Sequence, residues 1–144
     1  MEYEIFERDF IVRTLRIIQQ YEEYVPVSQQ FEVTLLINCL LGLLVLPKER
    51  CYVDIPDVPI NQLEGWGLCA DHIKAGRYHS LNEIIRGMRN SVAHIRFRAL
   101  GNGSEITDIE FSDRSEFKAV IPVNCLKTFV TKLAQSVRTN NIRL

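Results

Sequence analysis

The sequence predicts a mainly α domain with a small antiparallel β element before the last helix. Three observations support this prediction. Most of the chain repeats apolar residues at the spacing of amphipathic helices. Residues 95–123 instead combine short apolar stretches with glycine turns, as antiparallel strands do. The chain has 144 residues, of which 47% are hydrophobic, so residues 1–144 are expected to bury one core as a single domain.

Two helices are predicted in the N-terminal third of the chain. The first covers about Ile5–Tyr21, where apolar residues form a helical stripe, and Pro26 breaks the chain after it. The second begins after Ser28, which has the hydroxyl side chain of an N-cap. It runs to about Leu46, because Pro47 stops it. Its apolar residues lie nearly all round the helix, which predicts a central position or contact with a partner chain.

A long connection leads to the third helix. Residues 48–67 have no sustained period, and a short helical turn is predicted near Asn61–Gly65. Gly67–Arg77 is predicted to form another short helix. Ser80-Leu81-Asn82-Glu83 has the pattern of a capping box, in which serine and glutamate side chains bond the backbone amides that begin a helix. The third helix runs from there to about Ile95.

A β element and a closing helix are predicted after the third helix. Gly101-Asn102-Gly103 is typical of the turn between two strands. Ile106–Phe111 and Phe117–Ile121 predict two further short strands, joined by a turn at Ser112–Ser115. The last helix is predicted over Leu126–Val137, because its apolar residues fall on one face.

The string RNSVAH, Arg89–His94, lies inside the third helix and combines groups suited to phosphate chemistry. Arg89 is a permanent cation whose planar group fits a phosphate. His94 can move a proton near neutral pH, and Asn90 adds a polar side chain directly after the arginine. This combination predicts part of a phosphate-chemistry site. The structural alternative is that Arg89 pairs with a carboxylate and His94 caps the helix C-terminus, where a cation suits the helix dipole.

A ridge of Glu83, Gly87, Asn90 and His94 follows one side of this helix. Glycine inside a helix costs about 1 kcal/mol relative to alanine, so Gly87 predicts a close approach by another helix. Asn90 and His94 would then face the same neighbour. At about 100° per residue, Arg89 lies about 140° away from His94 on the helix. We therefore expect a twofold homodimer, in which a second chain completes the site.

Charge and cysteine content limit the classes of partner. The net charge is -1, so a nucleic-acid partner requires a local basic patch. The four cysteines form no CxxC pair, and the first residues lack the pattern of a secretory signal peptide. We therefore expect reduced thiols and a cytoplasmic location. The longest apolar stretch, Val33–Leu46, is too short for a membrane-spanning helix.

Cys69, His72 and His79 are the candidate metal ligands. A structural zinc site normally has four ligands, and the other cysteines lie far away in sequence. A small cysteine beside surface histidines is the simpler interpretation. We therefore expect neither a metal nor a cofactor.

Two further sets of side chains have two interpretations each. Thr34 and Asn38 share one face of the second helix, and Asn38 is expected to bond a neighbouring helix. The alternative is that Glu32 or Asn38 lies close to Arg89 and His94. Trp66, between two glycines, offers a surface for base stacking. A lone tryptophan is more commonly part of the packing.

The chain resembles the HEPN superfamily (higher eukaryotes and prokaryotes nucleotide-binding), and most closely its small stand-alone bacterial members. The resemblance depends on RNSVAH in a late helix and on the earlier helix Phe31–Leu44, which is followed by Pro47-Lys48-Glu49. The strand-rich stretch and the closing helix also fit. The family fold implied is an antiparallel helical bundle with the small β element placed before the last helix.

The resemblance implies a metal-independent endoribonuclease that acts as a homodimer on RNA. Arg89 would hold the scissile phosphate, and His94 would be the general acid or base toward the ribose 2′-hydroxyl or the leaving oxygen. Asn90 would orient the histidine or bind phosphate. The product would have a cyclic phosphate or 3′-phosphate end.

A toxin or defence role, with an antitoxin or other regulator protein as partner, is also typical of the superfamily. Members with a nucleotidyltransferase antitoxin often have a tyrosine two residues past the histidine, and here that residue is Arg96. Arg96 and Arg98 add cations that help to steer RNA. The alternative function is a non-catalytic, HEPN-like dimeric scaffold that binds a nucleotide, a nucleic acid or a protein.

Overall fold

The computed structural model describes residues 6–26, 32–45, 57–76, 79–103 and 105–142. These residues form four α-helices and a four-stranded antiparallel sheet. The helices are α1 (Phe6–Tyr24), α2 (Glu32–Leu40), α3 (Leu81–Ala93) and α4 (Val123–Ile142). The strands are β1 (Ile73–Ala75), β2 (Phe97–Asn102), β3 (Glu105–Ser112) and β4 (Lys118–Pro122).

The prediction of a mainly α helical bundle is wrong, because the chain is a mixed α/β domain. The strand order in the sheet is β1-β4-β3-β2. The chain turns between β2 and β3 and between β3 and β4 near the predicted positions, although Gly101, Asn102 and Ser112 lie in the strands rather than in the turns. The missed strand is β1, which lies in Gly67–Arg77, where a short helix was predicted. Ile73 pairs with Ala119 of β4, so this three-residue strand depends on a distant partner and has too little sequence to show a period.

The core lies between the helices and one face of the sheet. Helix α1 packs on α4, whereas α3 and α4 both contact β3. Alternate residues of β3 and β4, including Ile109, Phe111 and Ile121, point into this core, as the two-residue period of a strand requires. Among the described side chains of α3 and α4, the fully buried apolar ones are Leu81, Ile84, Met88, Val92, Leu126, Phe129, Val130, Leu133 and Ala134.

Helix α2 is buried on one side and exposed on the other. It continues into a π-helical turn, Leu41–Val45, and packs against α3 and α4. Thr34 and Asn38 are exposed, so Asn38 is not a buried polar group, and its bond to a neighbouring helix stays a prediction. The side chain of Glu32 and the residues predicted to begin and end this helix, Ser28, Leu46 and Pro47, lie outside the described residues. No helix in the described part of the chain has the length and apolar character needed to cross a bilayer.

Single 3-10 turns occupy the described part of the connection, at Ile60–Gln62, Glu64–Trp66 and Ala70–His72. The second of these turns buries Trp66 with 7% of its surface exposed. Its ring centroid lies 6.3 Å from that of Phe129 in α4. Trp66 is therefore a packing residue, and the alternative of base stacking is wrong.

The outer face of the sheet contains an ion cluster around Glu110. This carboxylate pairs with Arg98 of β2 and, at 3.1 Å, with Lys118 of β4. Hydrogen bonds from Arg98 and then from Lys118 hold the pKa of Glu110 below its ordinary value. The cluster joins three neighbouring strands on the face opposite the core.

Candidate functional site

The N-terminus of α3 is capped by a residue far away in sequence. The Asn82 N–H group donates a hydrogen bond to Asp57 Oδ1 at 3.3 Å. Ser80 has an extended backbone and makes no side-chain cap, whereas Glu83 accepts a hydrogen bond from the His79 N–H group at 2.9 Å. The predicted capping box is therefore wrong, because Ser80 makes no cap and Glu83 accepts from the N–H group of His79 rather than from that of Ser80. The Asp57 carboxylate supplies an acceptor near the positive end of the helix dipole instead.

Helix α3 ends at Ala93 in a Schellman motif, with His94 as its C-cap residue. The Ile95 N–H group donates to the Val92 carbonyl at 3.2 Å, and the Arg96 N–H group donates to the Ser91 carbonyl at 2.7 Å. Ile95 adopts a left-handed φ of 54°, which is rare for a β-branched residue. The motif turns the chain sharply into β2. His94 is left exposed at the end of the helix.

A buried hydroxyl group joins the end of α3 to the sheet. Ser91 Oγ donates to the Arg96 carbonyl at 2.7 Å and accepts a hydrogen bond from the Ser112 N–H group at 3.2 Å. The side chain of Ser91 is 0% exposed, so one hydroxyl satisfies two backbone groups. Consequently, the backbone of Arg96 is held rigidly against the last turn of the helix.

Gly87 allows the sheet to lie close against the middle of α3. A Cβ atom built on Gly87 would stand 2.6 Å from the ring of Phe117, which is buried. The predicted close approach at Gly87 is therefore confirmed, but the neighbour is an aromatic ring of the same chain rather than another helix. The ridge at this point is consequently buried within one chain.

Asp113 organises the turn that connects β3 with β4. Its Oδ1 atom accepts hydrogen bonds from the N–H groups of Ser115 at 2.8 Å and Phe117 at 3.1 Å. The Ser115 hydroxyl group also donates to this carboxylate at 2.8 Å. Because Phe117 contacts Gly87 and Ser112 bonds Ser91, both ends of the turn are attached to α3.

A surface pocket of about 220 Å³ lies where this turn meets the end of α3. It combines an exposed histidine with two arginines and one aspartate. No hydrogen bond or ion pair among the described residues uses the side chain of Arg96 or Arg114. The pocket can therefore supply cationic donors and a proton-transfer group to an anion. Its lining residues are Asn90, His94, Arg96, Asp113, Arg114 and Ser115.

The structure brings together some of the candidate residues and separates others. Asn90 and His94, four residues apart on one helix face, line the pocket together. Arg89 is half-buried and is not among the pocket residues, as its angular separation from His94 predicts. The contribution of Arg114 was missed, because nothing local in the sequence shows that the β3–β4 turn lies beside the motif helix.

The candidate metal ligands do not form a cluster. His72 Nδ1 accepts a hydrogen bond from the Cys69 N–H group at 3.3 Å, so this imidazole caps a 3-10 turn. Burial, with a smaller effect of Lys74, lowers the pKa of His72 below its ordinary value. Among the described residues, no group of three or more histidine, cysteine, aspartate or glutamate side chains is placed to hold a metal ion. The described cysteines, Cys39, Cys69 and Cys125, are free thiols.

Comparison with known proteins identifies a family over the full length of the chain. A family model described as HEPN pEK499 p136 matches residues 1–144. No curated protein and no solved structure matches. The match confirms the superfamily inferred from RNSVAH and its preceding helix. It supports a nucleotide-binding or RNase-like class of domain.

Proposed function

Because the chain belongs to the HEPN family described as HEPN pEK499 p136, we propose that it is an endoribonuclease that acts as a homodimer. The observation that carries this proposal is the pocket in which the exposed His94 lies beside Arg96 and Arg114. An RNA phosphodiester is anionic and carries its own nucleophile, the neighbouring 2′-hydroxyl. A site for its cleavage therefore needs cationic donors and a group that moves a proton.

His94 is the proposed proton-transfer residue. As a base it takes the proton of the 2′-hydroxyl while the 2′-oxygen attacks phosphorus, or as an acid it protonates the leaving 5′-oxygen. The bond to that 5′-oxygen breaks, and a 2′,3′-cyclic phosphate remains. Asn90 lies one helical turn before His94 and offers an amide to the phosphate or the imidazole. No step requires a metal ion, because the nucleophile is internal to the substrate.

Arg89 is the proposed ligand of the scissile phosphate, and it is supplied across the dimer. Within one chain it does not line the pocket that contains His94. A twofold axis near the ends of two α3 helices would bring Arg89 of one copy to the pocket of the other. Each of the two active sites would then contain groups from both chains.

The first experiment measures RNA cleavage in EDTA by wild type and by the His94→Ala variant. We expect wild type to produce cyclic-phosphate ends, to leave a matched DNA intact, and to lose at least about a hundredfold in rate when His94 is removed. His79→Ala is the control, because His79 is also exposed but does not line the pocket. Equal rates for wild type and His94→Ala would refute the catalytic assignment. Growth arrest on expression that requires His94 would support a toxin or defence role.

Mixed dimers test the sharing of sites. Arg89→Gln and His94→Ala chains are refolded together in equal amounts. If sites are shared, half of the dimers are mixed and one site in each is intact, which restores roughly a quarter of the wild-type rate. If each chain forms its own site, every mixed dimer has two defective sites and no activity returns.

The second candidate function is a non-catalytic domain that binds a nucleotide or RNA. It is favoured by one observation, namely that Arg89 lies outside the pocket that contains His94. RNA binding without any cleavage by wild type, and equal binding by His94→Ala, would select this function.

A further inference from the structure

We propose that Arg96 and Arg114 form a second phosphate subsite, which binds a phosphate next to the scissile linkage in RNA. This inference deepens the proposed function and rests on it. It defines the preferred substrate as an oligoribonucleotide with at least two phosphates. Arg114 belongs to the β3–β4 turn rather than to the motif helix, so the subsite is contributed jointly by two elements.

The backbone segments that carry Arg96 and Arg114 are both attached to α3. Arg96 is held at both its N–H and its carbonyl group by Ser91. The turn that contains Arg114 is anchored at one end by the hydrogen bond of Ser112 to Ser91 and at the other by Phe117 on Gly87. A binding group on a rigid backbone loses less conformational entropy when it engages a ligand.

Arg96 and Arg114 are the arginine donors that the pocket offers to an anion, because Asp113 and Ser115 already form hydrogen bonds within the turn. The Asp113 carboxylate is already engaged by two backbone N–H groups and by the Ser115 hydroxyl group. That hydroxyl has a single hydrogen, which it donates to Asp113. An anion in the pocket is therefore bound by the guanidinium groups of Arg96 and Arg114, with the Asn90 amide beside them.

The number of cations exceeds what one linkage requires. A phosphodiester has a single negative charge, whereas Arg96 and Arg114, with Arg89 supplied across the proposed dimer, would place three positive charges beside the one negative charge of Asp113, a net charge of +2. The end of α3 also presents the negative pole of its helix dipole to the pocket, which disfavours an anion unless nearby cations compensate for it. Two phosphates balance these charges better than one.

The size of the pocket agrees with a polymeric substrate. Its volume of about 220 Å³ is below the range of about 300–1,000 Å³ that is typical of small-molecule sites. It accommodates a part of a nucleotide chain, and the remainder of the ligand must lie on the surface outside. A phosphate of an extended strand satisfies this requirement.

The test compares substrates with one and with two phosphates. Dinucleoside monophosphates contain only the scissile linkage, and the same compounds with an added 5′- or 3′-phosphate contain one more anion. We expect one of the two additions to raise kcat/KM by about tenfold in wild type, since hydrogen bonds to charged groups have this magnitude. Arg114→Gln should remove that gain, so that kcat/KM of the variant is the same with and without the added phosphate.

Two variants serve as controls. Lys132→Gln removes the same charge from an exposed position on α4 that does not line the pocket, so it should retain the gain. Arg114→Lys keeps the charge without the planar fork and should retain part of the gain. If neither phosphate raises kcat/KM in wild type, or if Arg114→Gln lowers the rates on all three compounds equally, the subsite is refuted.

A binding measurement separates this inference from the proposed function. On the His94→Ala background, the affinity for a short RNA is measured as a function of salt concentration. Arg114→Gln should weaken binding and reduce the salt slope by about 0.7, as expected for the loss of one phosphate contact on a single strand. If wild type does not cleave RNA and Arg114→Gln still weakens binding in this way, the subsite is supported and the nuclease is refuted. If wild type cleaves RNA and Arg114→Gln leaves the salt slope unchanged, the subsite alone is refuted.

Discussion

Replacement of Ile95 by glycine is expected to stabilise the protein. Ile95 has a left-handed φ of 54°, a conformation that costs about 1–2 kcal/mol for a residue with a Cβ atom. Its side chain is 78% exposed, so its removal sacrifices little burial. Glycine adds about 0.4–1 kcal/mol of backbone entropy to the unfolded chain. The difference is a gain of about 1 kcal/mol in the free energy of unfolding.

Thermal and urea unfolding measure this gain. For a chain of this size we expect Tm to rise by about 3 °C, with an unchanged dependence of the unfolding free energy on urea concentration. Ile95→Val is the control, because valine is also β-branched and keeps the strain. A Tm for Ile95→Gly equal to or below that of wild type would show that the left-handed conformation is not costly here. A similar rise for Ile95→Val would show that the gain does not come from relief of backbone strain.

Two further perturbations test the packing of the sheet and its outer face. Gly87→Ala places a methyl group 2.6 Å from the Phe117 ring. We expect urea unfolding to show a free energy of unfolding lower by about 1 kcal/mol, because overpacking costs about 1–3 kcal/mol and the gain in helix propensity is about 1 kcal/mol. Higher stability of the variant would show that the ring moves freely. Glu110 has a lowered pKa, so its pairing with Arg98 and Lys118 stabilises the fold above the unfolded pKa of about 4.3, and this contribution is lost as the pH falls through the folded pKa. Glu110→Gln should therefore lower Tm at pH 7 but not at the acid end of the titration, and parallel curves would contradict the linkage.

Local patterns predicted the helices and the turns with useful accuracy. The apolar stripe of α3 is buried at Ile84, Met88 and Val92, as its helical spacing requires. The turn between β2 and β3 was predicted from Gly101-Asn102-Gly103 to within about two residues, since Gly101 and Asn102 still belong to β2 and Gly103 follows that strand. Strand β1 was not predictable, since three residues have no measurable period and pair with a strand more than forty positions away.

The two ends of α3, at the candidate site, also differ from what the sequence predicts. Ser80 and Glu83 have the spacing of a capping box, but Asp57 supplies an acceptor to the helix terminus from an earlier loop. The helix was expected to reach Ile95, and the structure ends it at Ala93 because the Schellman hydrogen bonds turn the chain toward β2. At the N-terminus a contact distant in sequence supplies the acceptor, whereas at the C-terminus the local hydrogen bonds of the Schellman motif end the helix.

The sequence by itself determined the family and the chemical groups, because RNSVAH carries an arginine, an asparagine and a histidine at fixed helical angles. It also determined that Arg89 and His94 point in different directions. Only the tertiary structure decided which other groups surround His94. Phe117 on Gly87 and Ser112 on Ser91 bring Arg114 to the pocket, and contacts between elements of this kind leave no local pattern in the chain.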